Sequence, residues 1–142
     1  MTDPTRPILE VTGLSAGYGP LRILHDLDLT VRAGERLGIV GLNGHGKSTL
    51  FLAIAGLTGW QRGSIVLNGH EVGGTRSQGP GRYTHRVVRR GLALMPQGDE
   101  IFHGLTVEEH LDSGAFTARA WRERKPRKAR ILEIFPPLAK LM

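Results

Sequence analysis

The stretch "GLNGHGKST", from Gly41 to Thr49, decides how the rest of the chain is interpreted. Four of its residues fit the pattern G-x-x-x-x-G-K-[ST]: Gly41, Gly46, Lys47 and Ser48. Glycines let a backbone curl so that successive N–H groups point into one concavity that suits phosphate. A helix beginning at Lys47 would add the partial positive charge of its N-terminus. The stretch therefore predicts a phosphate-binding loop.

The residues on either side of this loop have the periodicity expected around such a site. The run "RLGIVG" (36–41) is nearly continuous in apolar residues, which is typical of a parallel strand buried on both faces. Beyond the loop, apolar residues recur at helical spacing, and Gly56 and Gly59 are expected to end that helix. The apolar positions are Leu50, Phe51, Ile54 and Leu57. The context predicts a strand, a glycine loop and a helix, in that order.

Other segments predict a small sheet and several short helices. Strands are expected over 8–11, 24–31, 63–69 and 91–96, the third ending in an Asn-Gly turn and the fourth buried. A turn is expected over 12–20 and an exposed loop over 73–81. Helices are expected over 84–90, after an N-cap at Thr106, and around 120–135, where Pro126 must mark a break or a helix start. This order predicts an α/β domain with a parallel core and an antiparallel β flap.

The composition limits the class of protein. The chain has 142 residues, a net charge of +6 and no Cys, so it has no disulfides and no cysteine metal site. The N-terminus lacks an apolar signal core, and no window approaches the roughly 18 apolar residues of a membrane span. We expect one domain that is cytosolic, or that meets a membrane only through a partner.

The basic residues are concentrated between positions 119 and 130. This segment contains seven cations and one acid, Glu123; the cations are Arg119, Arg122, Arg124, Lys125, Arg127, Lys128 and Arg130. Such a run is usually a solvated helix face. The alternative is a surface for nucleic acid or another polyanion, which requires the cations to share one face.

Two residues outside the loop narrow the class of nucleotide protein. A phosphate loop alone does not separate a GTPase, a small-molecule kinase, a motor and a transporter ATPase. Tyr18, before the second strand, could stack on a purine base. Gln97 is expected at the exit of a buried strand, where side chains of parallel sheets face the ligand. Its amide oxygen could hold Mg²⁺ or a water molecule.

These features together resemble the N-terminal part of an ABC transporter ATP-binding subunit. The matching segments cover 17–50, 63–69 and 89–111. The last of these, with "ILEIFPPLAKLM", is most similar to the branched-chain amino acid and amide importers. The resemblance implies a P-loop NTPase core with an N-terminal antiparallel β subdomain and the start of a helical subdomain. Within 1–142 the expected parts are the β subdomain and P-loop over about 7–72, the core strand and Q-loop approach over 73–97, and the helical subdomain over 98–142.

The resemblance also implies roles for individual residues. Tyr18 would stack on adenine, and Ser48 and Gln97 would contact Mg²⁺. The residues that would wrap the phosphates of ATP are Asn43, Gly44, His45, Gly46, Lys47, Ser48 and Thr49. The helical subdomain would dock on transmembrane permease subunits, a second ATPase subunit would complete the site, and the protein would lie on the inner face of the cell membrane.

The sequence also departs from the family pattern. It contains no LSGGQ-type signature, no Walker B strand ending in Asp-Glu and no switch histidine. We therefore expect a fragment or truncated product that binds ATP weakly and turns it over negligibly, with Gln97 as the one catalytic candidate. Two functions remain open. One is the ATP-binding subunit of an importer for branched-chain amino acids or similar amides; the other is a nucleotide-dependent module that contacts nucleic acid through 119–130.

Overall fold

The computed structural model describes residues 6–74, 81, 83–98 and 102–141 in two compact units. The first unit ends at Leu94 and the second begins at Met95. The first holds a sheet and two helices, and the second holds helices only. In the described part of the chain, no helix is both long enough and apolar enough to cross a membrane.

One four-stranded antiparallel sheet organises the first unit. Its strands are β1 (Pro7–Tyr18), β2 (Leu21–Arg32), β3 (Trp60–Leu67) and β4 (His70–Gly74), in the spatial order β2-β1-β3-β4. The expected strands over 8–11, 24–31 and 63–69 all fall in this sheet, and Asn68 and Gly69 form the expected turn between β3 and β4. The antiparallel β subdomain predicted from the sequence is therefore confirmed.

The turn predicted over 12–20 is wrong for most of its length. β1 continues to Tyr18, and only Gly19 and Pro20 form the turn to β2. The pairing of β1 with β2 shifts register at several points, for instance between Val11 and Leu14. These irregularities let a glycine-rich segment stay in the sheet, because a bulge accepts an extra residue without ending the ladder.

The two predicted parallel core strands, 36–41 and 91–96, are not strands in the structure. Both are mostly exposed, and Val40 and Met95 are 94% and 93% exposed. Only Ile39 and Leu92 from these segments pack against the core of the first unit. A parallel strand needs a neighbouring parallel strand for its hydrogen bonds, and the described residues place none beside either segment.

Helix α1 (Lys47–Ala55) packs on the sheet and completes the core. Leu50 and Ile54 are buried as expected, whereas Phe51 is 48% exposed and Leu57 lies beyond the end of the helix. Helix α2 (Thr84–Arg89) confirms the short helix predicted over 84–90 and contributes Val87 to the same core. Most of the loop predicted over 73–81 lies outside the described residues.

The second unit contains three α-helices and a final 3₁₀ turn. They are α3 (Val107–Ser113), α4 (Ala118–Arg122), α5 (Arg124–Ile134) and the turn Pro136–Lys140. Thr106 is the N-cap of α3, as predicted, and forms a capping box with Glu109. The helix expected around 120–135 is divided between α4 and α5, and Pro126 lies in the first turn of α5, where a missing N–H costs little. The predicted helix start is thus confirmed.

Candidate functional site at the first turn of α1

The N-terminal end of α1 leaves backbone donors free. Gly46 is the N-cap with φ of 82°, and in the described part of the chain no side chain caps this end. The helical ladder begins only at Leu50, whose N–H donates to the Gly46 carbonyl over 2.9 Å. The N–H groups before Leu50 therefore have no partner within the helix and can receive an anion.

Gly46 is fixed in place by strand β2. A Cβ atom at this position would lie 3.0 Å from Cδ2 of Leu24 and 3.2 Å from Cγ2 of Ile23. The left-handed φ and the close approach both require glycine here. The end of the loop is therefore held against the sheet.

The Lys47 side chain lies back over the loop. Its Nζ donates to the carbonyl oxygens of Gly41 and Leu42, each over 2.7 Å. An ammonium has three donors, so one remains for an anion while two fix the position of the charge. Lys47 thus places a positive charge beside the free N–H groups of α1.

The predicted phosphate ligands differ in exposure. Asn43, Gly44, His45 and Ser48 are exposed, and Gly46 and Lys47 are half-buried. Thr49 is buried at 8% exposure, so its side chain faces the protein interior more than the solvent. The other six predicted phosphate ligands lie next to one another in the loop, where solvent reaches them.

Tyr18 lies at the hairpin end of the strand pair that supports the loop. It is the last residue of β1, is 38% exposed and pairs with Leu21 of β2. The indole N–H of Trp60 donates to the Gly19 carbonyl over 2.9 Å and holds this turn to β3. Strand β2 thus anchors both elements. It pairs with Tyr18 through Leu21, and a few residues later it lies against Gly46 of the loop.

Gln97 belongs to the second unit and is exposed. The strand expected before it is absent, as described above, so its predicted place at a strand exit is wrong for this structure. The predicted pairing of Gln97 with Ser48 on one metal ion stays a prediction. Among the described residues no three His, Cys, Asp or Glu side chains form a metal cage.

The C-terminal end of α1 is closed by Gly56, as predicted, and by Tyr83 and Thr84, which the sequence analysis did not single out. The Gly56 N–H donates to the Ala53 carbonyl over 3.0 Å and the Leu57 N–H to the Leu52 carbonyl over 2.8 Å, which is a Schellman motif. The Tyr83 hydroxyl also donates to the Ala53 carbonyl, over 2.8 Å. Burial raises the pKa of this phenol from 10.0 to about 12.

Close packing against the Tyr83 ring explains why two neighbouring positions are occupied by glycine. A Cβ atom at Gly56 or Gly73 would lie 2.8 Å or 2.7 Å from its ring. Thr84 adds a further bond, donating from its hydroxyl to the Ala55 carbonyl over 3.0 Å. Because these contacts join residues far apart in the chain, no local sequence pattern around Tyr83 could have predicted them.

The basic run does not form one uniform face. Glu123 pairs with Arg119 and Arg127, and these hydrogen bonds lower the pKa of its carboxyl group, Arg127 contributing most. Lys128 is 15% exposed and pairs with Glu108 over 2.8 Å and Asp112 over 3.0 Å. Arg124 also lies over the Trp121 ring, 4.0 Å from its centroid. Four of the seven cations therefore have partners within the helical unit, and the nucleic-acid interpretation stays a prediction.

The comparisons with known proteins agree with the loop geometry. Residues 24–137 match the family described as ABC transporter. A probable branched-chain amino acid transport ATP-binding protein, LivF, of Archaeoglobus fulgidus is 38% identical over 95% of this chain and 54% of its own length. The corresponding figures for the high-affinity branched-chain amino acid transport ATP-binding protein BraG of Pseudomonas aeruginosa are 34%, 92% and 53%.

Relatives named for other transport roles also match. The lipopolysaccharide export system ATP-binding protein LptB of Haemophilus influenzae is 36% identical over 73% of this chain and 40% of its own length. A solved structure of the ATP binding subunit of an ABC transporter is 36% identical, covers 80% of this chain and 42% of that one, and superposes with a TM-score of 0.60.

The chain spans about half the length of the two branched-chain amino acid relatives. Its fold is that of the N-terminal portion of an α/β ABC ATPase, as the solved structure and the antiparallel sheet with α1 indicate. On the match over residues 24–137, this chain belongs to the ABC transporter family of ATP-binding proteins.

Proposed function

We propose that this chain binds the phosphates of ATP at the first turn of α1. One observation carries the proposal. The Lys47 ammonium is held over the loop by two carbonyls, next to N–H groups that no side chain of the described residues caps. A fixed cation beside free backbone donors favours a polyphosphate.

The remaining site residues are proposed in supporting roles. Asn43, Gly44, His45 and Gly46 would line the phosphates through the backbone, and the exposed ring of Tyr18 would stack on adenine. Thr49 would reach an inner phosphate only after a change of rotamer, because its side chain is buried.

The chemistry of the loop suits Mg²⁺ bound together with the nucleotide. Mg²⁺ prefers oxygen ligands and commonly takes only one or two from the protein, the others coming from phosphates and water. The exposed Ser48 hydroxyl follows Lys47 in the first turn of α1 and can supply one such oxygen. The bound ion would neutralise charge on the phosphates.

The complete subunit is proposed to couple ATP binding and hydrolysis to solute import. Two of the similar proteins carry branched-chain amino acid transport in their names, which supports that solute or a related amide. Transmembrane permease subunits and a second ATP-binding subunit are the proposed partners, at the inner face of the cell membrane.

Calorimetric titration with Mg-ATP tests the binding proposal. Lys47→Ala should weaken binding by about 100-fold or more, because the substitution removes a charge-assisted bond and a positioned cation. Lys125→Ala is the matched control, since this exposed lysine lies in the second unit. Equal affinity of Lys47→Ala and the unsubstituted chain would show that the loop is not the site.

A comparison of ATP with inorganic triphosphate tests the role of Tyr18. Tyr18→Ala should weaken ATP about tenfold and leave triphosphate unchanged, because only ATP offers a ring for stacking. An equal loss for both ligands would mean that Tyr18 supports the hairpin and not the base.

A further inference from the structure

The core-facing side of β2 changes between Leu24 and Leu27. Leu27 and Leu29 pack against the core at the two-residue spacing of a strand, and the same alternation would next turn His25 inward. His25 is exposed instead, and Leu24 is buried at 5% exposure. One extra residue therefore lies in β2 between Leu24 and Leu27.

A β-bulge accommodates this extra residue. The paired residues on its two sides are Leu14 with Leu27 and Ala16 with Leu24. Between these pairs β1 contributes only Ser15, whereas β2 contributes His25 and Asp26. Asp26 has a φ of 45°, in the left-handed region that aspartate adopts more often than most residues with a side chain. A residue in that conformation lets one strand hold two residues opposite one of its neighbour.

The Ser15 hydroxyl holds the bulge from the neighbouring strand. Ser15 is buried at 3% exposure. Its Oγ donates to Oδ1 of Asp26 over 3.0 Å and accepts from the Asp26 N–H over 3.1 Å. Nη2 of Arg22 donates to the same Oγ over 2.6 Å. A hydroxyl has one donor and two acceptor sites, so all of its bonding capacity is used here.

Arg22 extends this network to the backbone of Leu24. Its Nε donates to the Leu24 carbonyl oxygen over 3.2 Å, and its Nη2 lies 3.2 Å from Oδ1 of Asp26. The network thus surrounds the point at which β2 turns Leu24 inward. Leu24 is also one of the two residues that lie against Gly46, since a Cβ atom there would be 3.0 Å from its Cδ2. The bulge is therefore connected to the phosphate loop through one side chain.

We propose that Ser15 is a positioning residue for the phosphate loop: its buried hydroxyl holds the Asp26 bulge, and the bulge turns Leu24 onto Gly46. The consequence for ligand binding rests on the ATP binding proposed above, whereas the contact between Leu24 and Gly46 does not. Loss of the bulge would shift the pairing by one residue, and such a shift exchanges the two faces of a strand. His25 would then take the inward place of Leu24, and Gly46 would lose that support.

Ser15→Ala tests the proposal in the full chain. The nuclear Overhauser effect between a Leu24 methyl group and the Gly46 Hα should be present in the unsubstituted chain and lost in Ser15→Ala. Mg-ATP and inorganic triphosphate should both bind about tenfold more weakly, because the phosphate loop is disturbed and not the contact with the base. Tyr83→Phe is the matched control: it also removes a buried hydroxyl, yet it should keep both the Overhauser effect and the affinity.

Two substitutions of Asp26 separate the bulge from a general loss of stability. Asp26→Gly and Asp26→Val both remove the carboxylate and keep an N–H that can donate to Ser15, but only glycine adopts a positive φ freely. Asp26→Gly should therefore bind Mg-ATP within about twofold of the unsubstituted chain, and Asp26→Val should bind it about tenfold more weakly. If Ser15→Ala does not fold, the contrast between these two variants decides the matter.

Three results would overturn the proposal. They are an Overhauser effect between Leu24 and Gly46 that persists in Ser15→Ala, equal affinities of the two Asp26 variants, and a loss in Ser15→Ala confined to ATP with triphosphate unchanged. If the unsubstituted chain bound no ATP, the proposed function would fail. The Overhauser measurements without ligand would then still decide whether Ser15 sets the contact between Leu24 and Gly46.

Discussion

The two ends of helix α1 differ in whether their free backbone groups have hydrogen-bond partners. At its C-terminal end the carbonyls are used by the Gly56 turn and by the hydroxyls of Tyr83 and Thr84. At its N-terminal end the described part of the chain provides no side-chain cap, and Lys47 adds a positive charge. The fold closes one end of the helix and leaves the other end open, where we propose that ATP binds.

Among the described residues, side-chain caps are present at the starts of α3 and α4 and absent at the starts of α1, α2 and α5. At α3, Thr106 and Glu109 reciprocally satisfy the first turn through a capping box. Capping of that kind stabilises a helix by about 1 kcal/mol, so omitting it costs stability. What distinguishes the uncapped start of α1 is the Lys47 ammonium that the loop carbonyls hold beside it.

The largest effect is expected when the open end is disturbed. Gly46→Ala should lower the free energy of unfolding by about 2 kcal/mol, since alanine disfavours the left-handed conformation and its Cβ would press on Leu24 and Ile23. ATP binding should fall with it, because the N–H groups of the loop would move. Chemical denaturation and calorimetry measure the two effects.

Gly44→Ala is the control for backbone strain alone. Gly44 also has a positive φ, of 85°, but a Cβ atom there would meet nothing within 4 Å. Its cost should be smaller, about 1 kcal/mol. Equal stability of the two variants would contradict the claim that β2 holds the loop through Gly46.

At the closed end, Tyr83→Phe should cost about 1.5 kcal/mol of unfolding free energy, since it removes a buried hydrogen bond to Ala53. ATP affinity should not change, because Tyr83 lies at the other end of the helix. Tyr18→Phe is the matched control: Tyr18 is partly exposed, and its substitution should leave stability unchanged. A loss of ATP affinity in Tyr83→Phe would contradict the claim that the closed end of α1 does not affect ATP binding at the open end.

The same phenol predicts an alkaline limit to stability. Its pKa is raised to about 12 in the folded chain, so the folded state keeps a proton that the unfolded state releases near pH 10. The contribution is complete below about pH 10 and is lost as the pH rises towards about 12. Over this pH range, the free energy of unfolding should fall more steeply with rising pH in the unsubstituted chain than in Tyr83→Phe. Chemical denaturation at several pH values measures the difference.

The smallest effect is expected for Thr84→Val, which removes the bond to the Ala55 carbonyl at a half-buried position. Water can replace the hydroxyl there, so the cost should be about 0.5 kcal/mol. The melting temperature should fall slightly and ATP affinity should stay the same. A cost above that of Tyr83→Phe would reverse the proposed order of the two hydroxyls.

Local features of the fold could be predicted from the sequence. The glycine loop before Lys47, the Asn68–Gly69 turn and the Thr106 cap each depend on residues within a few positions of one another. Their chemistry is therefore visible in a short stretch. The site residues proposed in the loop rest on the same local pattern, which did not predict the burial of Thr49.

Features that depend on distant partners could not be predicted. An apolar run such as 36–41 shows that a strand is possible, but only a neighbouring strand makes one, and the described residues provide none there. Tyr83 fits between Gly56 and Gly73, and Lys128 turns inward to Glu108 and Asp112. Each contact is set by packing across the fold rather than by local pattern.

Backbone NMR during a titration with Mg-ATP tests the central claim most directly. The account predicts that the largest amide shift changes fall on residues 44–49, at the open end of α1, while Gly56 and Leu57 at the closed end change little. Saturating nucleotide that leaves 44–49 unperturbed, or that shifts both ends of α1 equally, would contradict the account.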